Sequence, residues 1–167
     1  MRKYTQTILT IIMFSIVLAT GTLLVSVWLL PPVEQTPSIA LLNESMQAGP
    51  YPTNVTANTN VTLNIEVSNF MGVVQYFYVR MKLANETTMT TATNPSSAPI
   101  LQQFERLVSN GGTWRFPVTL NMTTPGINYR LTFELWRYDP NSDEIIWIRN
   151  PLGRGLWVHL PMNGTGP

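Results

Sequence analysis

The sequence predicts an all-β, immunoglobulin-like sandwich preceded by one N-terminal transmembrane helix. Three observations carry this. Thr5–Leu30 is an apolar run without a single charge. Beyond it, short segments alternate apolar and polar residues with a period of two, separated by turn residues. No segment of convincing length shows a helical 3.6-residue period.

The apolar run comes first in the chain. Its 26 residues would reach about 39 Å as a helix, enough to cross a hydrocarbon core of about 30 Å with some tilt. Arg2 and Lys3 precede it, and no Lys or Arg follows until Arg80. The positive-inside rule therefore expects residues 1–4 in the cytoplasm and the rest outside the cell membrane. Trp28 stands where an outer aromatic belt would lie, and Pro31 and Pro32 stop the helix. A cleaved signal peptide is the rival reading. Its apolar core is normally about 7–15 residues with a small-residue site at the end, whereas Ala19-Thr20-Gly21 falls inside this run.

Residues 31–37 read as a linker, 38–160 as the sandwich and 161–167 as a C-terminal tail. Ser38–Leu42 is a plausible first strand. Val61, Leu63, Ile65 and Val67 alternate with polar residues, and Asn69–Gly72 supplies a turn. Gln75–Leu83 follows, with Phe77, Val79, Met81 and Leu83 on one face. Thr87–Pro99, rich in Thr, Ser and Pro, reads as an irregular edge or long loop. Trp114–Leu120 and Tyr129–Leu135 alternate again, the latter introduced by Pro125-Gly126. A turn at 139–142 leads to Ile145–Ile148, and Asn150–Gly155 separates this from Leu156–Leu160. Such strands at such spacing fit an immunoglobulin-like sandwich. Trp114, Phe133, Trp136 and Trp157 are the expected large core or half-core residues.

Composition narrows the function. Only 11% of residues are charged and the net charge is +1, which argues against nucleic-acid binding. Cysteine is absent and His159 is the only histidine. Thiol nucleophiles, Cys-ligated zinc and a multi-His metal site within one chain are thereby excluded. His159 lies between Val158 and Leu160 in a predicted strand and reads as a structural residue rather than a general base. Asp139, Asp143 and Glu144 cluster, but without the glycine and terminal Glu spacing of an EF-hand. They read as turn formers. No nucleophile elbow, phosphate-binding loop or H-E-x-x-H motif occurs. No catalytic, cofactor or metal site is therefore expected, and the protein is expected not to be an enzyme.

The clearest chemical signal is glycosylation. Asn43, Asn54, Asn60, Asn85, Asn121 and Asn163 each begin an N-x-[ST] sequon. Residues 33–167 contain 14 Asn and 23 Ser/Thr, from which chance alone gives about 2.4 sequons. N-linked glycans would hydrate a weakly charged surface. If neighbouring strands run antiparallel, all six asparagines map to the sandwich pole away from the membrane; if Asn150–Gly155 instead reverses the chain, Asn163 alone lies near the membrane. Partners would then meet the helix, the sheet faces or the near pole. The near pole is expected to hold Asn69–Gly72 and the Asp139–Gly155 region with Trp147, Arg149 and Arg154.

Gly49-Pro50-Tyr51-Pro52-Thr53-Asn54-Val55-Thr56 resembles the "YPTN-x-T" opening of an uncharacterised archaeal membrane-anchored β-sandwich domain family. Pro125–Trp136 resembles that family's "PG-x-Y-x-L-x-F-x-L" strand. Arg154–Leu160 resembles its closing strand with His and Trp displaced, and Arg149–Gly155 looks like an insertion. The resemblance covers 49–160 in patches and implies an exported sandwich with no known activity. These readings converge on a non-enzymatic, single-pass envelope glycoprotein, an accessory or structural subunit of a membrane or surface complex. Its expected partners are membrane lipid and other membrane-protein subunits. A glycan- or polymer-binding module is the alternative, favoured if Tyr76, Tyr78, Trp136 and Trp147 form a coplanar exposed row. A filament, pilin-like subunit is a weaker one.

Overall fold

A computed structural model describes Tyr4 and residues 12–21, 36–123 and 126–165. The chain divides into two units, residues 1–34 and 35–167. In the first unit, residues 12–21 are helical and exposed. The Thr20 hydroxyl donates back to the Ile16 and Val17 carbonyls at 2.8 and 3.1 Å, so the helix satisfies it internally. Among the described residues no helix is long and apolar enough to cross a membrane. The predicted span Thr5–Leu30 extends past the described helix on both sides. Residues 1–3, most of the 31–37 linker, and Pro125 also lie outside the described residues.

The second unit is a two-sheet sandwich of nine strands among the described residues: β1 (Ser38–Leu42), β2 (Asn54–Thr56), β3 (Asn60–Ser68), β4 (Gln75–Ala84), β5 (Ile100–Val108), β6 (Thr113–Asn121), β7 (Gly126–Asp139), β8 (Glu144–Trp147) and β9 (Trp157–Thr165). One sheet has the order β1-β3-β6. The other has the order β2-β9-β7-β4-β5, with β8 also on β7. All pairs are antiparallel except β2 with β9. The period-two faces meet as expected. Leu63, Ile65 and Val67 of β3 and Trp114, Val118 and Leu120 of β6 pack in one core with Phe77, Val79 and Met81 of β4 and Leu131, Phe133 and Leu135 of β7. Trp114 stacks on Phe116 at 4.2 Å between ring centres, and Phe116 meets Phe104 of β5 at 4.7 Å.

The structure departs from the sequence reading in four places. The strand β5 was not expected, because Ile100-Leu101-Gln102-Gln103 does not alternate. It is an edge strand, largely exposed on both faces, so burial imposes no period on it. The three-residue β2 is too short to show a pattern. Residues 161–165 are strand rather than tail. The Asn163 amide donates outward to the Thr53 carbonyl at 2.8 Å, so the nitrogen of Pro161, two residues earlier, faces the same side. There β9 has no neighbour, because β2 pairs only from Asn163 onward, and proline costs no ladder bond. Finally, β8 and β9 follow one another along β7, both antiparallel to it, with 149–155 looping out between them and closed by an Arg149–Gly155 bridge. Trp147 thus pairs with Trp136, and the loop carrying Arg149 and Arg154 leaves the sheet beside Leu135 rather than at the near pole.

Candidate functional site

The registers define two poles. At the near pole β1 begins, Ser38 opposite Ser68, with the β3–β4 loop, the β5–β6 turn and the β7–β8 turn around it. At the far pole stand all six sequon asparagines. Asn60 and Asn121 are register partners, and the Asn121 side-chain nitrogen donates to Asn60 Oδ1 at 2.8 Å. Asn54 and Asn163 are partners across β2 and β9, joined at 3.4 Å. Asn85 follows the end of β4, beside the start of β7, where Asn128 Nδ2 donates to Glu86 Oε1 at 3.3 Å. Asn43 follows β1 and, with Pro50, Pro52 and Asn60, lines an open cleft at this pole.

The six amides are in different states. Asn85 Oδ1 accepts from the Thr87 amide (3.1 Å) and Thr87 hydroxyl (2.9 Å), so its sequon is folded into a turn that leaves Asn85 exposed. Asn54, Asn60 and Asn121 are exposed as well, and Asn163 is half-buried. Asn43 is half-buried and fully engaged. Its Oδ1 accepts from the Ser45 and Gln47 amides, and its Nδ2 donates to the Gly49 carbonyl at 2.9 Å. That contact explains part of the Gly49–Thr56 motif: Tyr51 Oη donates to the Leu41 carbonyl at 2.6 Å, folding this stretch back onto β1.

The outer face of the larger sheet carries the aromatic residues. Tyr76 and Tyr78 meet edge to face, centres 5.1 Å apart and planes at 65°. Trp136 and Trp147 lie 6.4 Å apart, with the Arg80 guanidinium 4.2 Å over Trp136. Tyr76, Tyr78, Trp136 and Trp157 are half-buried, whereas Trp147 is only 9% exposed. Trp147 packs against Gly155, where a Cβ would lie 1.9 Å from Trp147 Cζ2. Beside it Thr87–Pro99 folds over the sheet as a loop. The Gly155 amide donates to the Ala92 carbonyl (2.9 Å), and Arg149 Nη2 to that of Thr93 (3.1 Å).

Beneath this loop lies a buried ion pair that sequence reasoning missed. Lys82 Nζ stands 2.9 Å from Glu134 Oε2, with Glu134 fully buried and Lys82 nearly so. Lys82 also donates to the Ser96 carbonyl at 2.6 Å. Glu134 Oε1 accepts from the Thr90 hydroxyl (2.9 Å) and the Ser96 amide. These bonds pin the loop to the sheet, and every polar group of the pair is matched.

The other sequence candidates occupy ordinary positions. His159 stands on β9, largely open to solvent, with its ring 4.9 Å from that of Trp157; partial desolvation of the ring and then the Arg130 charge hold its pKa below the usual imidazole value. Asp139 Oδ1 accepts from the Asn141 amide (3.1 Å) within the β7–β8 turn. Asp143 accepts from Tyr138 Oη at 2.7 Å, and this bond raises the Tyr138 pKa. Among the described residues no three His, Asp or Glu side chains gather where they could hold a metal ion.

A family model described as "Domain of unknown function (DUF1616)" matches residues 34–151, more than half of the chain. The match ends before β9. No curated protein matches. Among solved structures, the CARDB domain of the PF1109 protein from Pyrococcus furiosus, in complex with di-metal ions, is similar at 10% identity and TM-score 0.50, covering 81% of this chain and 94% of that one. A β-glucosidase from Listeria innocua in complex with glucose aligns at 8% identity and TM-score 0.41, over 78% of this chain and 17% of the enzyme. The ASH/PapD-like domain of human CEP192 aligns at 11% identity and TM-score 0.38, over 83% and 93%. At 10% identity the likeness to the CARDB domain shows the fold alone.

Proposed function

This chain belongs to the DUF1616 family, described as a domain of unknown function, and on that premise we propose that it is a non-enzymatic envelope glycoprotein anchored by a single membrane span. In this reading it is an accessory or structural subunit of a membrane or surface complex of archaeal type. The N-terminus is cytoplasmic and the sandwich extracellular. One observation carries the proposal: all six sequon asparagines stand at the pole opposite the start of β1, the strand that follows the apolar run. A glycan-bearing pole is a poor docking surface, so other subunits would meet the span, the sheet faces or the near pole. The polymer-binding alternative needs an open, coplanar aromatic row. Trp147 is buried, and the Tyr76 and Tyr78 planes are inclined at 65° rather than coplanar, which favours the subunit reading.

The test combines topology with site occupancy. External protease on intact cells should remove the sandwich, and glycopeptide mass spectrometry should find sugar on Asn85. Asn43 should be the least occupied site, because its nitrogen is already donated and half-buried. Register partners lie about 5 Å apart, so Asn60 with Asn121, and Asn54 with Asn163, should rarely be occupied together. A protected sandwich, or no sugar at any of the six sites in its native host, would overturn the proposal.

A further inference from the structure

The near pole bears an apolar tip that the core does not use. Phe70, Val73 and Val74 of the β3–β4 loop are 53%, 58% and 57% exposed, and Leu107 of β5 is 60% exposed. Val73, Val74 and Leu107 line one side of a shallow cavity whose other side holds Arg137, Tyr138 and Asp139. From Asn69 to Val74 there is no charge. The tip is held firmly. Asn69, fully buried, donates its side-chain amide to the Val73 and Val108 carbonyls, both at 2.8 Å, and accepts from the Met71 amide at 3.0 Å. Its backbone is bonded to Gly111 and Gly112 of the β5–β6 turn. The exposure of Phe70 and the two valines is therefore built into the fold.

Resting on the membrane-anchored reading above, we propose that this tip lies on the lipid surface, with Phe70, Val73 and Val74 in the headgroup region. Chain length argues for lipid as the occupant. Seven residues, 31–37, separate the apolar run from β1, and seven residues span at most about 25 Å. Ser38 pairs with Ser68, next to the tip, so this pole is the one held near the membrane. The six sequons mark the opposite pole as the one facing water. The β7–β8 turn beside the tip carries Asp139, Asp143 and Glu144, which sets a limit on depth. The contact is interfacial, of the kind that amphipathic surfaces make with headgroups.

The chain has no cysteine, so single labels are clean. The full chain carrying Val74→Cys, or Thr119→Cys near the far pole as control, is labelled with a polarity-sensitive dye. It is then reconstituted into phosphatidylcholine vesicles containing a headgroup nitroxide lipid. Unchanged melting of each variant confirms the fold. The expected result is blue-shifted emission at position 74, quenched by the nitroxide several-fold more than at 119. A chain that floats with the vesicles but shows equal, aqueous behaviour at both positions overturns the tip proposal and leaves the anchor standing. A blue shift at 74 without nitroxide quenching means that protein covers the tip, and also overturns it. A chain that does not float overturns both readings.

Discussion

Replacing Glu134 with Gln tests whether the loop over the outer sheet face is held by charge. Glu134 is fully buried and accepts from Lys82, Thr90, Ser96 and, at 3.4 Å, Trp136 Nε1. Glutamine preserves the shape but removes the counter-charge of the Lys82 ammonium, 5% exposed, and its one remaining oxygen can accept either from Lys82 or from Thr90 and Ser96, not from both. Breaking a buried pair from one side costs about 3–5 kcal/mol. A domain of this size has roughly 6–20 kcal/mol in total. The melting temperature should therefore fall by about 10–20 °C. Hydrogen exchange should rise selectively across residues 88–98, since Thr90 and Ser96 are the loop's attachments to Glu134. The double variant Lys82→Met/Glu134→Leu should recover part of the loss, because an apolar pair removes the stranded charge. Recovery stays partial, as Thr90 and Ser96 lose their acceptor. If Glu134→Gln unfolds within about 1 kcal/mol of the parent and exchange in the loop is unchanged, the pair is not what holds it.

Two further outcomes follow from the same face. Gly155→Ala should cost about 1–3 kcal/mol by overpacking, since the new methyl would collide with Trp147; an unaltered melting curve and tryptophan emission would contradict that packing. His159 has a lowered pKa in the fold, so the unfolded chain takes up its proton more readily. Its contribution is full above about pH 6.5 and is lost as the pH falls below that value. The urea midpoint should drop less toward acid in His159→Gln than in the parent, and an equal or larger drop in the variant would refute the sign.

What the sequence disclosed follows from which faces are buried. The strands β3, β4, β6 and β7 each have one face in the core, so alternation marked them within a few residues. Along β5 no such constraint acts. The far-pole gathering of the sequons was legible because antiparallel neighbours return alternately to the same end. The pairing of Asn54 with Asn163 was not, since a three-residue parallel strand leaves no pattern. With Leu131, Phe133 and Leu135 facing the core, Glu134 falls on the outer face, where a charge is ordinarily solvated. It is buried because residues 87–99 fold across it, and nothing local to β7 signals that cover. The Asn150–Gly155 turn was visible, but its fit against Trp147 is a long-range match of a missing Cβ to an indole edge.

The position of β9 bears on how the domain is made. This strand is the last of the described strands in chain order yet sits inside its sheet, between β2 and β7, and its Leu160 and Met162 are part of the core. Until it is delivered, the edge of β7 away from β4 is unpaired over Leu131–Glu134 and β2 has nothing to pair with. A nascent chain lacking these residues is an open, sticky intermediate rather than a smaller sandwich. Asn43, Asn54, Asn60, Asn85 and Asn121 all precede that closure in synthesis. A transferase acting on the emerging polypeptide would meet them as extended substrate, and one acting after β9 docks would find Asn43 already tied into its turn. The relative modification of Asn43 and Asn85 is thus a clock that records whether sugar transfer precedes or follows folding.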